Sequence, residues 1–495
     1  MADKSQLIRK NDGTLVLPVE GRKPVTFVAN DAILEGLDAR CIEQAVNAAQ
    51  APGVEALIVN PDAHAGYGCP VGSVMVTKEM LYPGMVGPDI CCSMSYLQTD
   101  LPGDAVLDRE SRRALIDAVC ARIPTGATAR LASKGRRFTS ETLFDVATHG
   151  AGKGRVLANM GIPPEWASYC EEAAHGDPDA LGERLSKIGS DRLLAKLTQI
   201  GSFGSGNHFG ECEVASVVPG QEELAKHFGV LDGAVGFLSH CGSRGFGYRL
   251  ADSHFRGLEH HFKTWAMPFP GNDKELVYAP DSTPEGQAYL SDMYLGANFA
   301  TVNHLLINTL VLEAFREVFP GTNGHLVYHV SHNIGRRELH IDGPVGGKVS
   351  GSQWVWRKGA TRAFPAKHPS LGDTRYYQTW HPVLLPGDPA SGSFIMVGAA
   401  GGHKTAFSIN HGAGRAMGRK EAKRVLSQAS VEAALLDGDI LSNCRTYPVD
   451  EAPAAYKNFG DVIASVEGAG LASAVAKLSA RFVIKDADLD KEGAA

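Results

Sequence analysis

ALIVNPDAHAGYG, residues 56–68, is an apolar run that stops at Asp62 and His64 and passes into a glycine turn. Residues 54–59 read as a buried strand. Two other stretches repeat the pattern: VGFLSHCGSRGFG (235–247) stops at His240, and LVYHVSHNIG (326–335) stops at His329 and His332. A strand fixes the residue at its end while the loop beyond leaves room for a substrate. Three such ends predict one shared cleft lined with imidazole and carboxylate.

Helix and strand signals alternate around these ends. Residues 37–49 and 114–123 have helical apolar spacing, as does 177–200, with Leu181, Leu185, Ile188 and Leu197 on one stripe. Ser282, Thr283 and Pro284 form a helix start before an apolar-periodic stretch that ends near Pro320. Strands are expected at 233–239, 325–331 and 393–397, with a last short one at 481–484. No repeat or low-complexity linker divides the chain. The expectation is one large α+β domain over 1–495, with possible peripheral insertions near 150–200 and 250–300.

Composition bounds the function. The chain has 495 residues, 44% of them hydrophobic and 21% charged, the profile of a globular protein. Its net charge of −7 is not that of a surface built throughout to grip nucleic acid. RNA would need local basic patches. The candidates are Arg130, Lys134, Arg136 and Arg137; Arg357, Lys358 and Arg362; and Arg415, Arg419, Lys420, Lys423 and Arg424. Each alone reads first as a solvated face. The nine cysteines are odd in number and irregularly spaced, which excludes a disulfide framework. The N-terminus lacks an apolar leader, and no stretch reads as a membrane span. A reducing cytoplasm, where thiols serve as ligands or nucleophiles, is the expected setting.

Two further segments supply ligand types. GMVGPDICCSM (84–94) offers Asp89 and Cys92, and GSFGSGNHFGE (201–211) offers Asn207, His208 and Glu211. Pooled with the strand ends, they give a candidate set of Asp89, Cys92, His208, His240 and His332. Carboxylate, thiolate and imidazole together are borderline in softness and suit Zn²⁺, Mn²⁺, Fe²⁺ or Co²⁺. Five ligands exceed one structural zinc, so a two-ion site is the better expectation. Singly, each His reads as a hydrogen-bonded core residue and each Cys as a small hydrophobe. Cys69, Cys91 and Cys241 are read that way.

SINHGAGRAMGRKEAKR (408–424) places His411 before Gly412 and Gly414, with Arg415 opening an apparent helix. Such a turn lets backbone N–H groups approach an anion. His411 could bind phosphate or attack it, and a plain glycine turn is an equal reading. LLPGDPASGSF (384–394) could follow a nucleotide, and WVWRKGATRAFP (354–365) suits phosphate contacts. No P-loop motif is present.

The ordered series NPDAHAGYGCPVGSV, GPDICCSM, GSGNHFGE, HCGSRGFG, VSHNIG, RKGATRAFP, HGAGR and AYKNFGDV resembles the RtcB family of RNA ligases over about residues 55–485. The resemblance implies mixed β-sheets around a central metal cleft, flanked by helices. It implies two Mn²⁺ ions on Asp89, Cys92, His208, His240 and His332, with Cys92 bridging. It implies that His411 attacks the α-phosphate of GTP and carries GMP to an RNA 3′-phosphate, which a 5′-hydroxyl end then attacks. A 2′,3′-cyclic phosphate would first be opened. The implied nucleotide pocket holds Asn207, Phe209, Glu211, Asn333, Asp388, Ser393, Gly412, Ala413, Gly414, Arg415, Tyr456 and Lys485. Asp62, His64 and Arg244 match residues near the RNA end. Roles in RNA repair, tRNA splicing or other RNA processing follow, as a monomer with a possible activating protein partner. Pro88, Cys91, Ser93, Asp388, Asn410 and the tail after Lys485 depart from the family pattern. The competing readings are a two-metal phosphodiesterase or cyclic phosphatase needing no GTP, and a non-catalytic RNA binder. HGAGR with Tyr456 and Lys485 speaks against the first, and an intact ligand set with His411 against the second.

Overall fold

The computed structural model describes residues 4–264, 266–372 and 374–486. The tail that departs from the family pattern lies outside these residues beyond Asp486. The described chain forms one large domain of helices and two main β-sheets.

The first sheet has seven strands in the order Ile8–Arg9, Leu15–Leu17, Val25–Phe27, Val54–His64, Val71–Thr77, Val349–Lys358, Asn333–Ile341. The second has eight. Its main path runs Gly324–Ser331, Ser93–Pro102, Ala234–Cys241, Phe209–Val217, Ala472–Ile484, Ser393–Gly398, Pro382–Pro386, and Leu441–Ser442 pairs alongside Ala472–Ile484. Both sheets are mixed, each with a single parallel pairing among the described strands. The chain crosses between them at His332, which separates Gly324–Ser331 from Asn333–Ile341.

Helix Pro284–Val318 runs through the core and packs on Arg109–Arg122, Ser140–His149 and Arg244–Thr264. Thr283 caps it, its side chain accepting from Gly286 N, a cap worth about 1 kcal/mol. By length and composition alone, part of this helix is apolar enough to cross a membrane. An 18-residue window of this helix has mean hydropathy 1.3 and is entirely buried inside the protein. Buried Asn298, Asn303, His304 and Asn308 all find partners in neighbouring segments. Residues 150–200 form short helices and turns whose Val156, Leu157, Trp166 and Leu185 are buried in the main core, and the 250–300 stretch adds Leu250, Ala251 and the start of the central helix to the same core.

Three sequence expectations change. Arg415 opens no helix: the helix there is Arg419–Val425. Residues 177–200 are not one helix: Pro178–Ile188 ends at Gly189, and Ser190 caps a new short turn, Asp191–Leu194. The last strand is Ala472–Ile484, much longer than the expected 481–484. Its Ala- and Ser-rich first half hides the alternation that marks a strand.

Candidate active site

Four neighbouring strands of the second sheet begin or end together. Ser331 lies opposite Ser93, Ser93 opposite Cys241, and His240 opposite Phe209. His332 follows the first of these strands, Cys92 and His208 immediately precede two others, and His240 lies within the fourth. Register therefore gathers residues far apart in sequence at one edge.

Cys92 Sγ lies 3.1 Å from His240 Nε2 and 3.5 Å from His208 Nε2. His208 Nε2 is 2.8 Å from Asp89 Oδ2, and His240 Nε2 is 3.3 Å from His332 Nε2. Two donor triads result, Asp89–Cys92–His208 and Cys92–His240–His332, each with its donor atoms within 4.8 Å of one another. Cys92 belongs to both, so its sulfur would be a shared donor if each triad held a cation. His208 Nδ1 meets the Phe203 carbonyl at 2.9 Å, which leaves Nε2 as the donor atom toward a cation.

Burial, reinforced by neighbouring imidazoles, holds His240 and His332 well below the usual imidazole range. Burial and then Asp89 push the Cys92 thiol up. Neutral imidazoles are ready ligands, and a cation would ionise the thiol on binding. The donor chemistry thus fits a pair of divalent ions. Cys91 is buried on the other side of its peptide, at φ 55, and its backbone N–H donates to Asn333 O at 2.8 Å.

His411 faces this cluster. Its Nδ1 is 2.5 Å from Asp62 Oδ2, and its backbone N–H donates to the same oxygen at 3.0 Å. Asp62 is fully buried, and Lys457 grips the carbonyls on either side of it, Pro61 at 2.9 Å and Ala63 at 2.5 Å. An ionised carboxylate on Nδ1 selects the tautomer whose Nε2 carries a lone pair. The His411 and His332 rings are 5.0 Å apart. Both line a cavity of about 370 Å³ with Asp89, Cys92, Asn207, Asn333, Tyr456 and the 412–415 turn. Gly414, at φ +70, lets that turn approach: a Cβ there would lie 2.0 Å from the Asp62 carbonyl oxygen. His64 also lines the cavity; burial keeps its ring neutral, lowered to about 4, with Nδ1 near the Asp62 carbonyl at 3.1 Å.

A smaller pocket continues from this cavity through Phe209 and Tyr456 and holds Glu211, Asp388, Glu451 and Lys485. Asn333 Oδ1 accepts from Gly359 N at 2.7 Å and its Nδ2 donates to Asp89 O at 3.4 Å, so it braces the metal loop. Asp388 is spent on its own loop, accepting from Ala390 N at 2.9 Å and Ser391 Oγ at 2.5 Å. Ser393 lines neither pocket and sits buried in its strand.

Glu451 escaped the sequence reading. It accepts from Tyr456 Oη at 2.7 Å and Lys485 Nζ at 2.6 Å, and pairs with Arg419 at 2.5 Å. The acidic VDEAP run just before AYKNFG was its only signal. Burial opposes its charge, but Lys485 and Arg419 more than offset that and hold it at about 2. The folded value lies below the usual 4.5, so this stabilisation is full above pH 4.5 and lost as pH falls toward 2. Glu451→Gln is expected to cost about 3 kcal/mol at pH 7 and little near pH 2. Urea unfolding of both proteins at the two pH values checks this.

One of the three basic patches, 357–362, proves structural throughout, and the other two only in part. Arg357 is fully buried and bidentate to Glu338 at 2.6 and 2.9 Å, and Arg362 pairs with Glu171 at 2.8 Å. Lys358 donates to the carbonyls of Tyr67 and Gly84. Arg136 pairs with Glu313 at 3.2 Å and donates to Met160 O at 2.9 Å. In the third, Arg415 and Arg419 pair with Glu451. A different cationic surface lies beside the metal cluster. A cavity of about 690 Å³ shares Asp89 and Asn207 with the first and is lined by Lys196, Arg244, Tyr248, Arg249 and Arg256. Arg244 is itself anchored to Ser202 Oγ at 3.0 Å and Gly126 O at 2.7 Å.

A family model described as "tRNA-splicing ligase RtcB" matches residues 44–486. The tRNA-splicing ligase RtcB of Thermococcus kodakarensis is 37% identical over 484 residues, 94% of this chain and 95% of that protein. The same-named protein of Aeropyrum pernix is 33% identical over 471 residues, 92% of this chain and 94% of that protein. The RNA-splicing ligase RtcB of Mycobacterium tuberculosis is 35% identical over 448 residues, 88% of this chain and 98% of that protein.

Proposed function

We propose the following reaction for this chain, which belongs to the RtcB family of RNA ligases: with two Mn²⁺ ions and GTP it joins an RNA 3′-phosphate or 2′,3′-cyclic phosphate end to a 5′-hydroxyl end through a guanylated His411. The observation that supports it most is the Asp62–His411 pair set across one cleft from a five-donor cluster. A hydrolase working by metal ions alone would have no use for an imidazole held in that tautomer.

Asp89, Cys92, His208, His240 and His332 would hold two cations, which when bound neutralise phosphate charge and favour in-line displacement. Their donor set is borderline, and manganese in particular is taken from the motif series. Asp62 keeps the proton on Nδ1 of His411, so Nε2 can attack the α-phosphorus of GTP. The P–N bond forms as the bond to pyrophosphate breaks. An oxygen of the RNA 3′-phosphate then attacks the same phosphorus and frees His411. The 5′-hydroxyl oxygen of the second RNA attacks the activated 3′-phosphorus, and GMP leaves. The 412–415 turn and Asn207 line the space for the phosphates. The small pocket, with Glu211, Phe209, Tyr456 and Lys485, is assigned to the base, and the carboxylate of Glu211 suits the N–H edge of guanine.

The RNA is assigned to the groove of Lys196, Arg244, Tyr248, Arg249 and Arg256, because its cationic side chains flank the metal cluster and only Arg256 among them, held by Asp252 at 2.9 Å on the exposed rim, is in an ion pair among the described residues. Arg249→Glu with Arg256→Glu is expected to raise the RNA KM about tenfold or more while leaving guanylation by GTP intact. An unchanged KM returns the groove to ordinary surface. The reaction itself is tested with a 3′-phosphate RNA and a 5′-hydroxyl RNA. Joining that requires both GTP and Mn²⁺ supports it. Opening of cyclic phosphates without joining, and without need of GTP, would establish the two-metal phosphodiesterase instead.

A further inference from the structure

The second sheet carries a polar island that the proposed reaction leaves unexplained. Glu211 and Glu213 are two residues apart on the strand Phe209–Val217, so their side chains leave the same face. Glu211 is 3% exposed and Glu213 0%. In register, Glu211 lies opposite Leu238 and Glu213 opposite Gly236. Tyr96, opposite Leu238 from the other side, leans over Gly236. A Cβ on Gly236 would lie 2.0 Å from the Tyr96 hydroxyl, so glycine is what lets that hydroxyl sit beside Glu213. Ser393 is opposite Leu478, which is opposite Ala215, two residues beyond Glu213 on the same face. Tyr96, Glu213 and Ser393 therefore form one row beneath Glu211.

This row is buried and short of partners. Both carboxyl oxygens of Glu213, one of Glu211, the Ser393 Oγ and the Tyr96 hydroxyl make no hydrogen bond as placed among the described residues. Ser393 still lies close enough to Glu213 to favour its anion. Lys485 acts on Glu211 but is bound to Glu451 at 2.6 Å, and Asp388 adds a further negative charge near Glu211. Among the described residues Glu213 has no cation of its own: beyond burial, it feels Glu211 and Ser393. Two buried carboxyls so placed cannot both ionise. Glu211 is the one beside a lysine and open to the small pocket. Burial and then Asp388 raise Glu211 to about 8 against the pull of Lys485, and burial and Glu211 raise Glu213 further, so Glu213 is the harder of the two to ionise and the N–H donors of a bound base would favour the Glu211 anion.

We propose that Glu213 is a positioning residue that stays protonated and, with Tyr96 and Ser393, anchors Glu211 so that the Glu211 carboxylate faces the N–H edge of a guanine base. The inference rests on the assignment of the small pocket to the base of GTP. Guanine offers N1–H and the 2-amino group along one edge. Hypoxanthine lacks the amino group, so the ratio of affinities for GMP and IMP reads how well Glu211 is aimed.

Calorimetric titration of GMP and IMP into the Mn²⁺-loaded protein tests it. Wild type is expected to prefer GMP by about 10- to 100-fold, the usual worth of a hydrogen bond to a charged group. Glu213→Gln, which keeps a neutral N–H donor of the same shape, should stay within about threefold of that preference. Glu213→Leu should lose most of it, and melting curves of both variants report whether they fold. A purely structural Glu213 would alter stability without moving the ratio. Loss of the preference in Glu213→Gln would show that the charged form is needed and overturn the proposal, a result that stands even if Glu213→Leu does not fold. So would an unchanged preference in a folded Glu213→Leu. Wild type that binds neither nucleotide would remove the assignment of the pocket itself, and the proposal with it.

Discussion

Cys92→Ser protein is expected to lose both metal ions and with them about 10³-fold or more of its activity, while Cys91→Ser keeps two ions and near-normal rates. The reason is geometric. Cys92 Sγ is shared by the two donor triads, with His240 Nε2 at 3.1 Å and His208 Nε2 at 3.5 Å. A serine hydroxyl is shorter and far harder to ionise, so it cannot serve two cations. Cys91 is buried among core residues beside Ser331, outside both donor triads, and its part in the loop is made by its backbone, through Asn333 O. Its left-handed φ of 55 remains strained in either side chain, so the swap leaves the loop as it was. Metal content by elemental analysis of the two purified variants decides this. Equal loss in both would mean that the thiol at 92 is not the shared ligand.

The second large effect is at Asp62. Asp62→Asn is expected to slow guanylation by about 10²- to 10⁴-fold, and His411→Ala to abolish it. The backbone N–H of His411 needs an acceptor at the same point, so the amide oxygen at position 62 would take the place of Oδ2 and keep the tautomer, but without the carboxylate that stabilises the positive charge the ring gains as Nε2 attacks. The 2.5 Å contact and the second bond from the His411 backbone make the pair a rigid unit, so the imidazole keeps its place and its tautomer while it loses the carboxylate behind it. Metal content and GTP affinity should change little in Asp62→Asn. Single-turnover labelling separates the loss of rate from a loss of binding, and an unaltered rate would assign Asp62 to scaffolding.

Much of this was readable in the chain because the pattern of an apolar run ending in a ligand residue is local. Strand ends at His240 and His332, and Asp89 with Cys92, announce themselves within a dozen residues. What brings them together is register across four strands, which no single stretch encodes. The resemblance matches Asp62 to a residue near the RNA end; the structure adds its contact with His411, 349 positions away in sequence, and nothing local predicts that pairing. Glu451 and the Lys196–Arg256 groove were missed because their residues are ordinary charged side chains until the fold supplies their neighbours. Conversely, Arg357 and Arg362 looked like free cations because Glu338, Glu171 and Glu172 come from other parts of the chain. The 177–200 stretch and the final strand failed for a simpler reason: glycine, serine and alanine carry little periodic signal.

The most direct test of the central claim is the mass of the protein after incubation with GTP and Mn²⁺. The account predicts an added guanylate that is stable to alkali, labile to acid, and carried by the peptide containing His411. No added mass under any divalent ion, from a protein shown to hold two metals, would contradict it.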